Sequence, residues 1–218
     1  MSVLPIFPLQ LIAFPGEEVA LHIFEPRYLK LVAYCRENNK PFGLVPVFGK
    51  RISPVGVCMS VRQIAHQYDD GRLDIRVLAE DPFRIRKFEL EPDNSLYHEA
   101  EVSILDKDDR YSVELREEVM ELYKEFHHLI QTVRVPSVDV NHILSYQLGH
   151  TAGLDNEGQL KLLALPSEQH RLHYLRSHFQ SILPTLRGVE LTRNKIRQNG
   201  HVKTIPPADL SDASLGIS

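Results

Sequence analysis

The densest run of mixed chemistry in the sequence is His22-Ile23-Phe24-Glu25-Pro26-Arg27-Tyr28, which brings an imidazole, a carboxylate, a guanidinium and a phenol close together. A His/Glu pair at this spacing has the groups for general acid–base chemistry. The same residues also make a turn. Pro26 presets φ for a first helical position, and an ion pair between Glu25 and Arg27 would fix the passage from a strand into a helix. A signature at such a junction is more often a packing device than a catalytic one, so His22, Glu25, Pro26 and Arg27 are assigned to structure and no catalytic residue is expected.

Eleven histidines raise the question of a metal. His170 and His173 lie three apart on a helical stretch and can share a face, whereas the adjacent His127 and His128 fall on different faces. No third ligand completes the pattern, and neither His-Glu-x-x-His nor a Cys/His quartet occurs. Solvated or helix-capping imidazoles are expected, with no metal and no cofactor. Serine, cysteine and lysine are available as nucleophiles, but there is no Gly-x-Ser-x-Gly elbow, and no Gly-x-x-x-x-Gly-Lys-[Ser/Thr] loop to cradle phosphates. Cys35 and Cys58 stand alone, which fits two inert thiols in a reducing compartment. Asp69-Asp70, Asp108-Asp109 and Glu117-Glu118 read as turns and a solvated helix face. Arg193, Lys195, Arg197, His201 and Lys203 offer phosphate contacts, but no aromatic interleaves them and the chain carries a net charge of −4, so nucleic acid is a minor alternative.

These groups must be positioned by two kinds of element. In the first half, Leu4 to Leu9, Val19 to Phe24, Phe42 to Phe48, Val55 to Val61, Arg72 to Val77 and Ala100 to Ile104 are short apolar or alternating runs bounded by Pro, Gly and charge. With another strand starting at Pro82-Phe83-Arg84-Ile85, they imply about six strands in all, each with a wet face and a dry one. Asp69-Asp70-Gly71 is a hairpin turn, because glycine accepts the positive φ. The period then changes to three and four. Val119, Tyr123, Phe126, Ile130 and Val133 line one helix over Val113 to Val133. Others fit Val140 to Leu148, closed by Gly149 or Gly153, and Glu157 to Leu165, stopped by Pro166. A last one, capped by Ser167, carries Leu172, Leu175, Phe179 and Ile182 and ends before Pro184. The reading is an α+β fold with a β-rich part over 1–109, a helical bundle over 110–191, and a polar tail over 192–218 that docks, if at all, at Ile196 or Val202. The N-terminus has no basic segment and three prolines by Pro15, so it is not a signal peptide. No apolar run approaches the ~20 residues of a membrane span, and a cytoplasmic location is expected.

Leu4-Pro5-Ile6-Phe7-Pro8-Leu9, Phe14-Pro15-Gly16 and Leu21-His22-Ile23-Phe24-Glu25-Pro26-Arg27-Tyr28 together resemble the opening of the Lon substrate-binding domain family. Phe42-Gly43-Leu44-Val45-Pro46, Asp70-Gly71-Arg72 and Phe83-Arg84-Ile85 extend the resemblance, and Leu144-Ser145-Tyr146, Lys161-Leu162-Leu163 and Arg171-Leu172 carry it loosely to residue 183. Ala79-Glu80-Asp81-Pro82 departs from the family's glycine-led turn. The resemblance implies a six-stranded pseudobarrel of mostly antiparallel strands, similar to the PUA fold, followed by a small helical bundle. It also implies a protein-binding module without the ATPase or Ser-Lys peptidase of a full Lon protease. The expected partner is unfolded or damaged polypeptide, held in a groove between barrel and bundle or at an exposed sheet edge. Phe14, Phe24, Tyr28 and Phe48 are the candidate contacts, each also a candidate core residue. The alternatives are an adaptor docking on a protease, chaperone or other folded partner, RNA binding through the barrel, and a small hydrolase with an unrecognised constellation. Homo-oligomers stay open, and no membrane is expected.

Overall fold

The computed structural model describes residues 2–89, 97–105, 108–132, 137–139 and 142–199. In chain order its elements are β1 (Ser2–Leu9), β2 (Glu18–Ile23), α1 (Pro26–Glu37), β3 (Phe42–Phe48), β4 (Arg51–Ile52), β5 (Val55–Gln67), β6 (Leu73–Glu89), β7 (His98–Ile104), α2 (Val113–Leu129), α3 (Leu144–Leu148), α4 (Asn156–Ala164) and α5 (Glu168–Asn199). The α+β class and the order of strands before bundle are as expected.

Five strands close a ring. β1, β7, β6, β5 and β3 pair in that order, all antiparallel, and β3 returns to β1 in parallel, with Ile6 beside Gly43 and Leu9 beside Pro46. β2 is added on β6 and the two-residue β4 on β3, so the expected set of about six becomes five in the ring and two beside it. Leu4, Ile6, Val45, Cys58, Phe83, Ala100 and Val102 fill the interior. Phe83 is the plug: a Cβ on Gly43 would lie 2.7 Å from its Cζ, and one on Gly56 2.6 Å, so the two glycines make its room.

The expectation of one wet and one dry face holds for β7 and for Leu73 to Ala79 of β6, and fails for β3 and the start of β5. In β5 every residue from Val55 to Met59 is buried, as is Phe42 to Pro46 in β3. Cys58 points into the ring while Val57 and Met59 pack outward with Leu31, Val32 and Cys35 of α1. Helix α1 covers the outer surface of these stretches, so neither of their faces is left for water. The strand expected to start at Pro82 is a continuation of β6. Two β6 residues, Glu80 and Asp81, are inserted opposite Cys58 of β5, and this bulge accommodates Pro82 inside the strand. The hairpin at Asp69-Asp70-Gly71 is present, with Gly71 at φ 89° and Tyr68 N–H donating to the Arg72 carbonyl across 2.9 Å.

Helices α2 and α5 run side by side in parallel, tied by Glu118–Arg176 at 3.2 Å and Glu125–Arg187 at 2.6 Å. Their core takes in Ile12, Phe14 and Val55 from the β part, so barrel and bundle share one apolar cluster. Inside the bundle Glu168 and Arg171, each 2% exposed, pair across 3.0 Å, and Ser145 Oγ donates to Glu168 while accepting from Arg171. Arg171 also lies over the Tyr146 ring at 4.4 Å.

Helix ends differ from expectation. α2 stops at Leu129, short of Val133, and α3 is a single turn beginning at Leu144 rather than Val140; Val133 and Val140 lie outside the described residues. Ser167 accepts the His170 N–H at 3.3 Å and so caps α5 as expected. The helix does not end before Pro184 but runs on to Asn199. Pro184 is exposed, so the carbonyl it leaves without a donor can turn to water, and the helix survives the missing bond. The polar segment from Thr192 therefore begins as helix, and Ile196, at 67% exposed, does not dock. Val202 and residues 200–218 lie outside the described residues.

Candidate functional site

The His22–Tyr28 segment folds as the turn read from its sequence. His22 and Ile23 end β2, Glu25 N-caps α1 through its carbonyl, which accepts from Tyr28 and Leu29 N–H at 3.0 Å, and Pro26 opens the helix. Arg27 reaches back to the Glu25 carboxylate across 3.0 Å. His22 turns away from Glu25. Its Nδ1 lies 2.6 Å from Asp74, its direct cross-strand neighbour on β6.

That contact belongs to a cluster at the outer end of the β5–β6 hairpin. Tyr68 donates its hydroxyl to Asp74 at 2.8 Å, His66 stands edge-on to the Tyr68 ring at 4.4 Å, and the Arg72 guanidinium covers that ring at 4.9 Å. The hydrogen bonds from His22 and then Tyr68 hold the Asp74 carboxyl below the usual range, while Asp74 pushes the Tyr68 phenol up. Phe24 stacks beside His22 at 6.1 Å and is 61% exposed. His22 and Asp74 thus form a hydrogen-bonded imidazole–carboxylate pair at the surface.

The cluster stands at the end of an unpartnered strand edge. Among the described residues β2 pairs only with β6. Ala79 N–H donates to the Glu17 carbonyl at 2.8 Å, and in an antiparallel ladder alternate residues bond the same neighbour. Val19, Leu21 and Ile23 therefore bond β6, and the N–H and C=O groups of Glu18, Ala20 and His22 face the other way. Leu21 and Ile23 are buried while Glu18, Ala20 and His22 are exposed. The arrangement can accept an extended chain as an added strand, with an aromatic platform at one end.

The four candidate contacts separate. Phe24 is at this edge. Phe14 is not a surface contact: it is fully buried, stacks on Tyr146 at 5.8 Å, and packs so tightly on Gly149 that a Cβ there would overlap its ring. Its place is between barrel and bundle. Tyr28 is half-buried against Phe7 at 4.1 Å, where burial raises its phenol pKa, and Phe48 packs on the bundle's core. The expected groove between barrel and bundle is a small cleft of about 240 Å³ lined by Pro15, Gly16, Glu17, His142, Tyr146 and Gln147 among others. Glu17 closes one side of it, pairing with His150 of the bundle at 2.9 Å; that hydrogen bond raises the His150 pKa. Among the described residues no group of three or more His, Cys, Asp and Glu side chains can hold a metal, and no helix is long and apolar enough to cross a membrane.

Sequence reading missed His66, Tyr68, Arg72 and Asp74. The alternation in Arg72 to Val77 did place Arg72 and Asp74 on one face. What it lacked was the register that sets Asp74 opposite His22.

Residues 3–181 match the profile described as the ATP-dependent protease La (LON) substrate-binding domain. Among solved structures the fold is similar to a Lon N-terminal domain protein from Xanthomonas campestris, at 24% identity over 81% of this chain and 98% of that one, with a TM-score of 0.64. It is also similar to the N-terminal domain of the Mycobacterium avium complex Lon protease, at 16% identity, 82% and 98% coverage and a TM-score of 0.60. Among curated proteins none matches the sequence.

Proposed function

This chain belongs to the LON substrate-binding domain family, and from that premise we propose that it is a non-catalytic module binding unfolded or damaged polypeptide as an added strand on β2. The observation that supports this reading is the outward edge of Glu18, Ala20 and His22 running into the exposed Phe24. Main-chain hydrogen bonds to an added strand select for an extended, unstructured client and are indifferent to its sequence, which is the selectivity a substrate filter needs. Phe24, with His22 and Tyr68 behind it, supplies the apolar contact.

The test is fluorescence anisotropy of a labelled, reduced, unfolded protein against its native form at two salt concentrations. Tight, salt-tolerant capture of the unfolded form alone supports the reading; equal binding of both forms, or none, rejects it. An adaptor role draws on a different observation. Beyond the end of α2, helix α5 carries Val189 and Ile196 on one face, exposed at 52% and 67%, an apolar strip suited to a folded partner. Binding of the native form alone would favour that role.

A further inference from the structure

A cleft of about 460 Å³ lies on the other side of α1, lined by Cys35, Arg36, Asn39, Lys40, Pro41, Ser60, Val61, Arg62 and Glu80. Its charge is three cations against one carboxylate, in a chain whose net charge is −4. Arg27, Arg72, Arg110, Arg171, Arg176 and Arg187 are held by carboxylates. Arg36 and Arg62 are among the described arginines that are not, and here two of them line one cleft. The Ser60 hydroxyl is buried with no hydrogen-bond partner. An orphaned hydroxyl beside unpaired guanidiniums is a donor set lacking its acceptor.

The backbone has been bent to build this lining. Between Val61 and Gln63 of β5 the partner strand advances by one residue, from Val77 to Arg76, so Arg62 is the extra residue of a β-bulge. Glu80 lies in the second bulge, the insertion opposite Cys58. Bulges re-aim side chains that a regular ladder would place elsewhere. From the helix side, Asn39 at φ 49° ends α1, with Lys40 N–H bonding the Cys35 carbonyl at 2.9 Å and Asn39 N–H the Arg36 carbonyl at 3.3 Å. The Cys35 and Arg36 carbonyls at this end of α1 are thereby satisfied. Burial raises the Cys35 thiol to about 11, so the floor of the cleft is neutral.

We propose that this cleft is an oxyanion site for the C-terminal carboxylate of a polypeptide, held by Arg36, Lys40, Arg62 and Ser60. Glu80 decides between sources. It repels any anion, but a chain end offsets this with the backbone N–H of its last residue, a donor for Glu80. The inference rests on the polypeptide-binding reading above and gives it a polarity: clients with a free C-terminus are preferred.

The probe is an N-terminally labelled, unstructured peptide made with a free or an amidated C-terminus, titrated with the full chain by anisotropy. The expected result is binding of the free acid about tenfold tighter than the amide, the scale of one or two charge-assisted hydrogen bonds. Arg62→Gln, on an exposed side chain, and Ser60→Ala should each narrow that ratio without changing amide binding. Equal binding of acid and amide overturns the inference and leaves the β2 reading intact. Binding of neither peptide overturns both the inference and the β2 reading.

Discussion

Ala20 lies midway along β2 with its N–H turned away from β6, so Ala20→Pro removes a donor that the folded protein does not use but an added strand would. Proline is tolerated at an edge where its missing N–H faces outward, and the expected stability cost is about 1 kcal/mol, mostly from holding φ near −65°. Binding should suffer more. One lost backbone hydrogen bond is ~1 kcal/mol, or about fivefold in affinity, and the ring obstructs the approach of the neighbouring residues of the client, so the loss should exceed fivefold. Leu21→Pro is the matched contrast. It deletes a ladder donor to β6 together with a buried side chain, and should cost ~3 kcal/mol or more in urea denaturation. Anisotropy with an unfolded client, alongside Tm for each variant, reads both effects. A protein carrying Ala20→Pro that melts near the wild type and binds the client as tightly as before would show that the chain is held elsewhere.

Phe24→Ser should leave stability within about 0.5 kcal/mol, since the ring is 61% exposed, while weakening capture of unfolded protein several-fold in the same anisotropy assay. Arg171→Met strands the buried Glu168 carboxylate with only Ser145, and urea denaturation should show a loss of about 3–5 kcal/mol, the range for breaking a buried pair. The Glu17–His150 link gives a pH signature. The folded imidazole has a raised pKa, so its stabilisation is fully present below the unfolded value of about 6.5 and is lost as pH rises through the folded value. The Tm difference between wild type and His150→Gln should therefore be larger at about pH 6 than at about pH 9; a difference that grows with pH would contradict the assigned direction.

How far the sequence could be read depended on whether a feature was local. Pro26 at the head of α1, the Asp70-Gly71 hairpin and the Ser167 cap are decided by residues within a turn of each other, and all three are as expected. Pro184 was misread because its effect on a helix depends on whether water can reach the freed carbonyl, which is a matter of burial. The merged β6 and the doubly buried β5 were missed for a related reason: a run of apolar residues does not say that both faces are covered. Phe14 and Phe24 stand ten positions apart and look alike in the sequence, yet one is sealed between barrel and bundle and the other is in water. The cleft was invisible in the sequence, because its arginine and glutamate are brought there by insertions in strand pairing that no residue type announces.

The parallel β1–β3 pair that closes the ring carries a consequence for synthesis. Of the seven strands described, β1 is made before the others and β7 after them, and β1 must pair with both β3 and β7. A nascent chain can form α1 and the β5–β6 hairpin from near neighbours, but the register from Ser2 opposite Val102 to Ile6 opposite His98 waits until β7 has been translated. Such high contact order makes closure slow, and until then two strands rich in apolar residues keep open edges. The client proposed for β2 is an unfolded chain with open edges, and during its own synthesis this chain has the same exposure.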